Sequence, residues 1–297
     1  DVWLAVAPSD DDTAAVAERI ADDSTGRVRV IDNPAGVTPA GLNAAIAASS
    51  GSILVRVDGH AALNDGYVRR AVETMCRTGA VNVGGRQVPA PETPFEEAVA
   101  AATTSWMGTG GATYRVGGAP GPVDTVYLGV FDRRTIEAVG LFDERLIRNQ
   151  DYELNIRLRH AGGVVVFDPE LSVGYVPRGS WSSLWRQYYE YGTWKAVVLR
   201  LHPDSRRLRQ SIPPVGMSAV LLGTLIGRRH RSAYVVPAVY VLAVLTVAAR
   251  SGRGRTPGVI AVIHVAWTVG LVAQSLRQMI GRRPRRPSST TVDQPIG

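Results

Sequence analysis

Ile53-Leu54-Val55-Arg56-Val57-Asp58-Gly59-His60, followed by the helix-like Ala61-Ala62-Leu63, decides the fold of this chain. A run of β-branched residues, which suit a pleated and half-buried surface, stops at a carboxylate, a glycine and an imidazole. In open α/β sheets ligands bind outside the carboxyl ends of the strands, so chemistry-bearing side chains at that end point to a site. An Asp oxygen and a His nitrogen, two residues apart on a turn, can both face one divalent cation. The same tripeptide also occurs in ordinary turns, so the choice between them rests on the rest of the chain.

Working outward, strands and helices alternate over residues 1–176. Strands are expected at 2–7, 28–31, 53–57, 80–88, 126–131 and 164–167, and helices at 13–21, 39–48, 65–77, 133–139 and 151–161. Asp10, Asp11 and Asp12 stand at the first helix start, where carboxylates cap free N–H groups. This β–α rhythm with short loops predicts a parallel-cored sheet between helix layers. The first strand begins directly behind Asp1 with no secretory leader, so a further strand is expected upstream. Residues 106–122 carry Gly108, Gly110, Gly111, Gly117, Gly118 and Gly121. A connection so rich in glycine is either a mobile loop or a place where backbone approaches a ligand closely.

The 297 residues, 45% of them hydrophobic, allow one large domain or one domain with an appendage. The single cysteine, Cys76, excludes a disulfide framework and a Cys-based zinc cluster, and suits a reducing compartment. Charge is unevenly divided: residues 1–176 hold 15 Arg/Lys against 23 Asp/Glu, and residues 177–297 hold 18 against 3. A basic half with long apolar runs matches an anionic membrane surface rather than nucleic acid. Over 177–211, Trp181, Trp185, Tyr188, Tyr189, Tyr191 and Trp194 alternate with Arg186, Lys195 and Arg200 at helical spacing, the pattern of an amphipathic interfacial helix. Three apolar stretches follow, 212–226, 233–249 and 259–276, separated by Arg-rich connectors. The latter two approach the roughly 20 residues a spanning helix needs, while the first is short and opens near Pro213-Pro214. An all-α membrane region of two or three crossings is therefore expected over 212–280, with a disordered basic and polar tail over 281–297. Arg206-Arg207-Leu208-Arg209 precedes these stretches and Arg282-Arg283-Pro284-Arg285-Arg286 follows them. The positive-inside rule wants both blocks in the cytoplasm, which requires an even number of crossings. Either the first stretch is re-entrant or interfacial, or the tail breaks the rule.

A second constellation is Asn149-Gln150-Asp151-Tyr152-Glu153, opening a helix with Leu154, Leu158 and Ala161 on its buried face. Asp151 falls in the first turn, where free N–H groups favour a carboxylate; ordinary first-turn acids occupy the same place. Asp124 is either an acceptor contact or a turn cap, and Arg178 either reaches a diphosphate or faces solvent or lipid phosphate. His264, inside the third apolar stretch, marks a site or bonds a neighbouring helix.

Five motifs now stand in order: Ser9-Asp10-Asp11-Asp12-Thr13, Gly41-Leu42-Asn43-Ala44-Ala45, Arg56-Val57-Asp58-Gly59-His60-Ala61, Val139-Gly140-Leu141-Phe142-Asp143-Glu144, and Asn149-Gln150-Asp151-Tyr152-Glu153. Together they resemble family 2 inverting glycosyltransferases, most like the bacterial exopolysaccharide (succinoglycan-type) branch, over about residues 1–195. The resemblance implies a GT-A, Rossmann-like fold: a mixed, mostly parallel sheet between helices. It implies that Asp58 and His60 match the Asp-x-Asp motif holding Mn²⁺ or Mg²⁺ on the donor diphosphate, with His in place of the second carboxylate. Asp151 matches the catalytic base of the family's Glu-Asp motif, with Gln150 in the Glu position, and Ser9 and Asp11 match the nucleotide-binding loop. The segment Gln187-Tyr188-Tyr189-Glu190-Tyr191 resembles the Gln-x-x-Arg-Trp segment of processive synthases, but Glu190 and Tyr191 replace Arg and Trp, which argues against processivity. Val6 and Ala7 stand where the family carries an acidic contact to the nucleotide base.

The implied reaction displaces a nucleoside diphosphate from an anomeric carbon through an oxocarbenium-like state. A metal neutralises charge on the leaving group, and one carboxylate takes the acceptor's proton. The expectation is a multi-pass enzyme of the cell (inner or plasma) membrane with its catalytic domain in the cytoplasm. Its partners would be a nucleotide-sugar donor and a lipid-linked saccharide or polyprenyl-phosphate acceptor, with no nucleic acid and the oligomeric state open. The rivals are a polyprenyl-phosphate monosaccharide synthase and a non-catalytic membrane scaffold with a degenerate GT-A domain. Ala7 and the lacking first strand favour the scaffold; Asp58, His60 and Asp151 oppose it.

Overall fold

The computed structural model describes residues 1–281, so the expected tail lies, but for its first residue, outside the described residues. β1 (Val2–Val6), α1 (Thr13–Asp23), β2 (Val28–Asp32) and α2 (Thr38–Ala48) form a first β–α–β unit, with β1 and β2 paired in parallel from Val2 opposite Val28 to Val6 opposite Asp32. β3 (Ile53–Val55), β4 (Ala62–Leu63), α3 (Tyr67–Thr78) and β5 (Asn82–Pro89) follow. Next come α4 (Pro94–Thr103), α5 (Trp106–Thr109), α6 (Thr113–Val116), β6 (Gly121–Pro122), β7 (Tyr127–Asp132), α7 (Arg133–Ala138), α8 (Gln150–His160) and β8 (Val165–Tyr175).

The larger sheet has the order β3-β7-β5-β8-β4, with β6 on β8. It is mixed, as expected, but it is not mostly parallel. Parallel pairing is confined to β1–β2 and β5–β8, while β3–β7, β5–β7, β4–β8 and β6–β8 are antiparallel. A direct crossover helix returns a strand in parallel. β7 is reached instead after the α4–α6 excursion, and it enters between β3 and β5 in the opposite sense. The glycine-rich stretch is also more ordered than a loop: Ser105 caps α5, its Oγ accepting from Gly108 N at 3.1 Å. Phe131, Ile136, Leu154 and Leu158 pack in one cluster, with α7 and α8, and Tyr67, Val83, Leu128, Val166 and Leu171 in another, with α3.

Behind this domain lie α9 (Trp181–Leu201), α10 (Leu208–Gly227), α11 (Val235–Ser251) and α12 (Thr256–Met279). Three helical stretches, Leu208–Gly227, Arg231–Ser251 and Thr256–Met279, are long and apolar enough to cross a membrane, with mean hydropathies of 1.2, 2.0 and 1.9. Pro213 and Pro214 sit inside α10 rather than delaying its start. α9 is not a solitary surface helix. Trp194 and Val198 pack with Tyr152 and Ile156 of α8, and its other flank lies along α12. The two helices run in parallel from Trp181 against Gly258 to Arg200, whose Nη1 donates to Gln278 O at 2.8 Å. Midway the backbones touch: a Cβ at Gly192 would lie 2.0 Å from Trp267 O, and one at Gly270 2.1 Å from Tyr189 O. Small residues permit such an approach, and here only glycine does. Two more ties hold α12 and its approach to the domain: the ion pair of Arg253 with Glu97, and a hydrogen bond between His264 Nε2 and Met107 O at 2.8 Å.

Candidate active site

The site begins where β3 stops. The backbone N–H of Arg56 donates to Gly129 O at 3.2 Å, fixing the strand end against β7. The Arg56 guanidinium turns forward onto Asp58, with Nε to Oδ1 at 2.9 Å and Nη2 to Oδ2 at 3.1 Å, the two-pronged geometry that suits a planar fork and a carboxylate. Burial disfavours the Arg56 charge, but Asp58 and Asp151 together outweigh it and hold its pKa above the ordinary arginine range. Nη1 of the same group is buried without a hydrogen-bond partner, so one donor remains for a ligand. The guanidinium also rests 5.9 Å from the centre of the Phe142 ring. Phe142 is positioned in turn by Asn43, which donates to its carbonyl at 2.9 Å and accepts from its N–H at 3.1 Å. Two of the five sequence motifs, around residues 43 and 142, are thus stitched together beneath Arg56.

Asp151 approaches Arg56 from the start of α8. Asn149 bends the chain there with φ of +61°, and Asp151 Oδ1 accepts from Tyr152 N at 2.8 Å. Tyr127 closes the wall. A bulge with Leu128 at φ +59° and Gly129 at φ +107° re-aims this end of β7. Burial first, then the Asp58 charge and Tyr191, push the Tyr127 phenol up. Burial likewise raises Tyr191, against the pull of Arg115, Arg148 and Arg178.

The structure therefore brings Asp58 and Asp151 together around Arg56, and Arg178 acts on Tyr191. Gln150, beside Asp151, is buried, and His60, two residues past Asp58, is exposed. Ser9 and Asp11 meet each other at 2.8 Å in the exposed loop after β1, with no hydrogen bond to Asp58 or Asp151 among the described residues. Hydrogen bonds from Thr13 and Ser9 hold the Asp11 carboxyl below its usual range. Asp124 pairs instead with Arg209 at the foot of α10. Gln187 is half-buried on α9, where Tyr191, one turn later, is the residue that reaches the site. Among the described residues no group of three or more His, Cys, Asp or Glu is arranged to hold a metal ion. Asp58, both of whose oxygens accept from Arg56, and His60 would offer a cation one oxygen and one nitrogen ligand, and a cation held by so few protein groups takes its other ligands from substrate phosphates and water.

Sequence reasoning passed over Arg56, Tyr127 and Tyr191, and over Lys195, buried on α9 where it feels the Asp151 charge, as site residues. The one available signal was Arg56 itself, a charge inside an otherwise apolar strand two residues before Asp58.

Fold and site together define a class: a mixed α/β domain of the GT-A glycosyltransferase type, followed by helices able to cross a membrane. Residues 1–140 match the family model Glycosyl transferase family 2. The chain is 30% identical over 278 residues to the succinoglycan biosynthesis protein ExoA of Rhizobium meliloti (strain 1021), covering 91% of this chain and 84% of that protein. It is also similar in structure to the mannosyltransferase PcManGT from Pyrobaculum calidifontis in complex with GDP-Man and Mn²⁺, with a TM-score of 0.56 at 15% identity, over 94% of this chain and 78% of that one. The chain belongs to glycosyltransferase family 2.

Proposed function

We propose that the protein is an inverting, metal-dependent glycosyltransferase that moves a sugar from a nucleotide-sugar donor to a lipid-linked saccharide or polyprenyl-phosphate acceptor, in the assembly of an exopolysaccharide. The observation that carries this reading is the charge of Arg56, faced by both Asp58 and Asp151. A donor-side and an acceptor-side carboxylate thereby flank one guanidinium. Asp58 and His60 would hold the divalent cation, Mn²⁺ or Mg²⁺, which when bound neutralises charge on the leaving diphosphate. Arg56 keeps Asp58 in place and offers its free Nη1 to the donor. Asp151 takes the proton of the acceptor hydroxyl on the face opposite the leaving group, which gives inversion. Ser9 and Asp11 would contact the nucleotide, and Gln150, Asp124, Arg178 and Gln187 the acceptor or diphosphate. The GDP-Man and Mn²⁺ in the Pyrobaculum calidifontis mannosyltransferase, and the role in the name of the Rhizobium relative, support donor, metal and pathway of this kind.

We assign residues 1–176 to the transferase domain and 177–211 to the join; of the three apolar helices over 212–280, two form the membrane region. The domain lies on the cytoplasmic face of the cell membrane. The hairpin of α10 and α11 enters the bilayer, and α12 stays along the domain. Ties at both ends and along its length support this, because a helix held so by a water-facing domain does not leave it to cross a bilayer. The start of α10 and the end of α12 then share one side, an arrangement that suits the positive-inside rule.

The test is transfer by membranes carrying the full chain, supplied with radiolabelled nucleotide sugars and Mn²⁺. Asp151→Asn is expected to lose about 10²–10⁴-fold in rate while binding the donor as before. Turnover retained in that variant would remove Asp151 from its role, and a labelled single-sugar lipid would favour the monosaccharide synthase.

A further inference from the structure

A groove of about 510 Å³ opens between the foot of α10 and the transferase domain, lined by Pro122, Val123, Asp124, Arg159, Arg207 and Arg209. Three guanidinium groups face a single carboxylate there, and Asp124 is already engaged by Arg209. Arg159, two turns along α8 from Asp151, has its Nε buried without a hydrogen-bond partner. Neither Arg159 nor Arg207 has a carboxylate partner among the described residues. Convergent positive charge with too little counter-charge is unfavourable unless an anion joins it, and planar guanidinium groups match phosphate oxygens two at a time.

We propose that this groove binds the phosphate-bearing end of a lipid-linked acceptor, as a phosphate monoester or diphosphate. The acceptor role rests on the glycosyltransferase reading above; the anion site does not. Position supports it first. Arg207 immediately precedes α10 and Arg209 lies in its first turn, so an anion held here sits where the apolar helix begins. Leu208 and Val215, 84% and 66% exposed, continue an apolar track along which a lipid tail can run.

Connection to the chemistry supports it second. Tyr152, next to Asp151, accepts from Gln210 Nε2 at 3.0 Å, and Lys195 Nζ lies 3.3 Å from the centre of its ring. Lys195 in turn feels the charges of Asp124, Arg209 and Asp151. One side chain thus stands between groove and base, and a sugar attached to the bound anion extends toward Asp151. Burial leaves the Lys195 proton loosely held, and an arriving phosphate strengthens its hold.

The test reads binding rather than turnover. The full chain in detergent with EDTA is titrated with inorganic pyrophosphate. The double variant Arg159→Gln, Arg207→Gln is expected to bind about tenfold more weakly or worse, since hydrogen bonds to charged groups are the strong ones, whereas Arg69→Gln, at an exposed arginine of α3, binds as the native chain does. Unchanged affinity in the double variant overturns the site. If the double variant does not fold, Arg207→Gln alone, on an exposed side chain, carries the test with an expected loss of about threefold. The lipid source is read in nanodiscs of phosphatidylcholine. Decaprenyl diphosphate is expected to displace the pyrophosphate, and phosphatidylglycerol at the same density is not. Equal displacement by phosphatidylglycerol overturns the acceptor role. A protein without transferase activity would still bind pyrophosphate here, so failure of the enzymatic reading shows separately, in the Asp151 assay.

Discussion

At Lys195, the one lysine in the sequence, burial decides the charge. The residue is 6% exposed, and desolvation pushes its pKa down from 10.5 to about 7 against the pull of Asp124 and Asp151. Between those values the unfolded chain still holds a proton that the folded protein has released, so stability rises with pH across that window. Below about 7 the lysine is charged in both states and contributes no slope. Each pH unit is worth at most about 1.4 kcal/mol. Lys195→Met is expected to abolish the rise: melting followed in detergent should climb with pH in the native chain relative to the variant. Parallel curves would mean that the ammonium is solvated. Residues differ in how far the sequence exposes them. Asp58 and Asp151 are legible because each stands where a local pattern changes, at a strand end and a helix start. Arg56 shows only as a charge inside an apolar strand, and its partner Asp151 is distant in sequence. Tyr127 and Lys195 leave no local trace, because the β3–β7 register and the α8–α9 packing bring them in.

At the scale of elements, the same logic separates what periodicity reveals from what packing adds. The alternation of apolar and polar residues is sufficient to place most strands and helices of the transferase domain. It does not give strand direction, since β7 and β8 present the same apolar face whichever way they run. Nor does it give the partner of α9, whose aromatic and basic residues read as an interfacial helix while its small residues seat it on α12. Gly192 and Gly270 are the contacts that matter. Gly270→Leu has to part the two backbones, and overpacking of this kind costs about 1–3 kcal/mol or more. Gly216→Ala, in α10, is the matched control: a Cβ there meets nothing within 4 Å, and alanine favours a helix by about 0.5–1 kcal/mol over glycine. Thermal unfolding in detergent should therefore fall sharply for the first variant and hold or rise for the second. Equal melting of the two would show that α9 and α12 are not packed backbone to backbone.

For the whole molecule, the division of charge and the anchoring of α12 bear on the same question, the number of membrane crossings. Arg206, Arg207 and Arg209 precede the apolar helices, and Arg250, Arg253 and Arg255 separate the last two of them. Arg253 pairs with Glu97 of the transferase domain, so this second group shares a side with the active site. From there α12 runs the length of α9 and ends where Arg200 holds Gln278 O. A helix of 24 residues is about 36 Å long, enough to cross a bilayer, but its far end is on the same domain as its near end. Length and hydropathy count α12 as a candidate span, and the proposal that it stays on the domain rests on its contacts. The expected number of crossings is then even, and the expected position of the α12 end is cytoplasmic. Met279, 82% exposed, is a suitable reporter. In a Cys76→Ser background, Met279→Cys should resist a membrane-impermeant maleimide in intact cells and react once the cells are permeabilised. Cys76 of the native chain, exposed on the transferase domain, should behave in the same way. Labelling of Met279→Cys from outside intact cells, with Cys76 still protected, would mean that α12 leaves the domain and crosses.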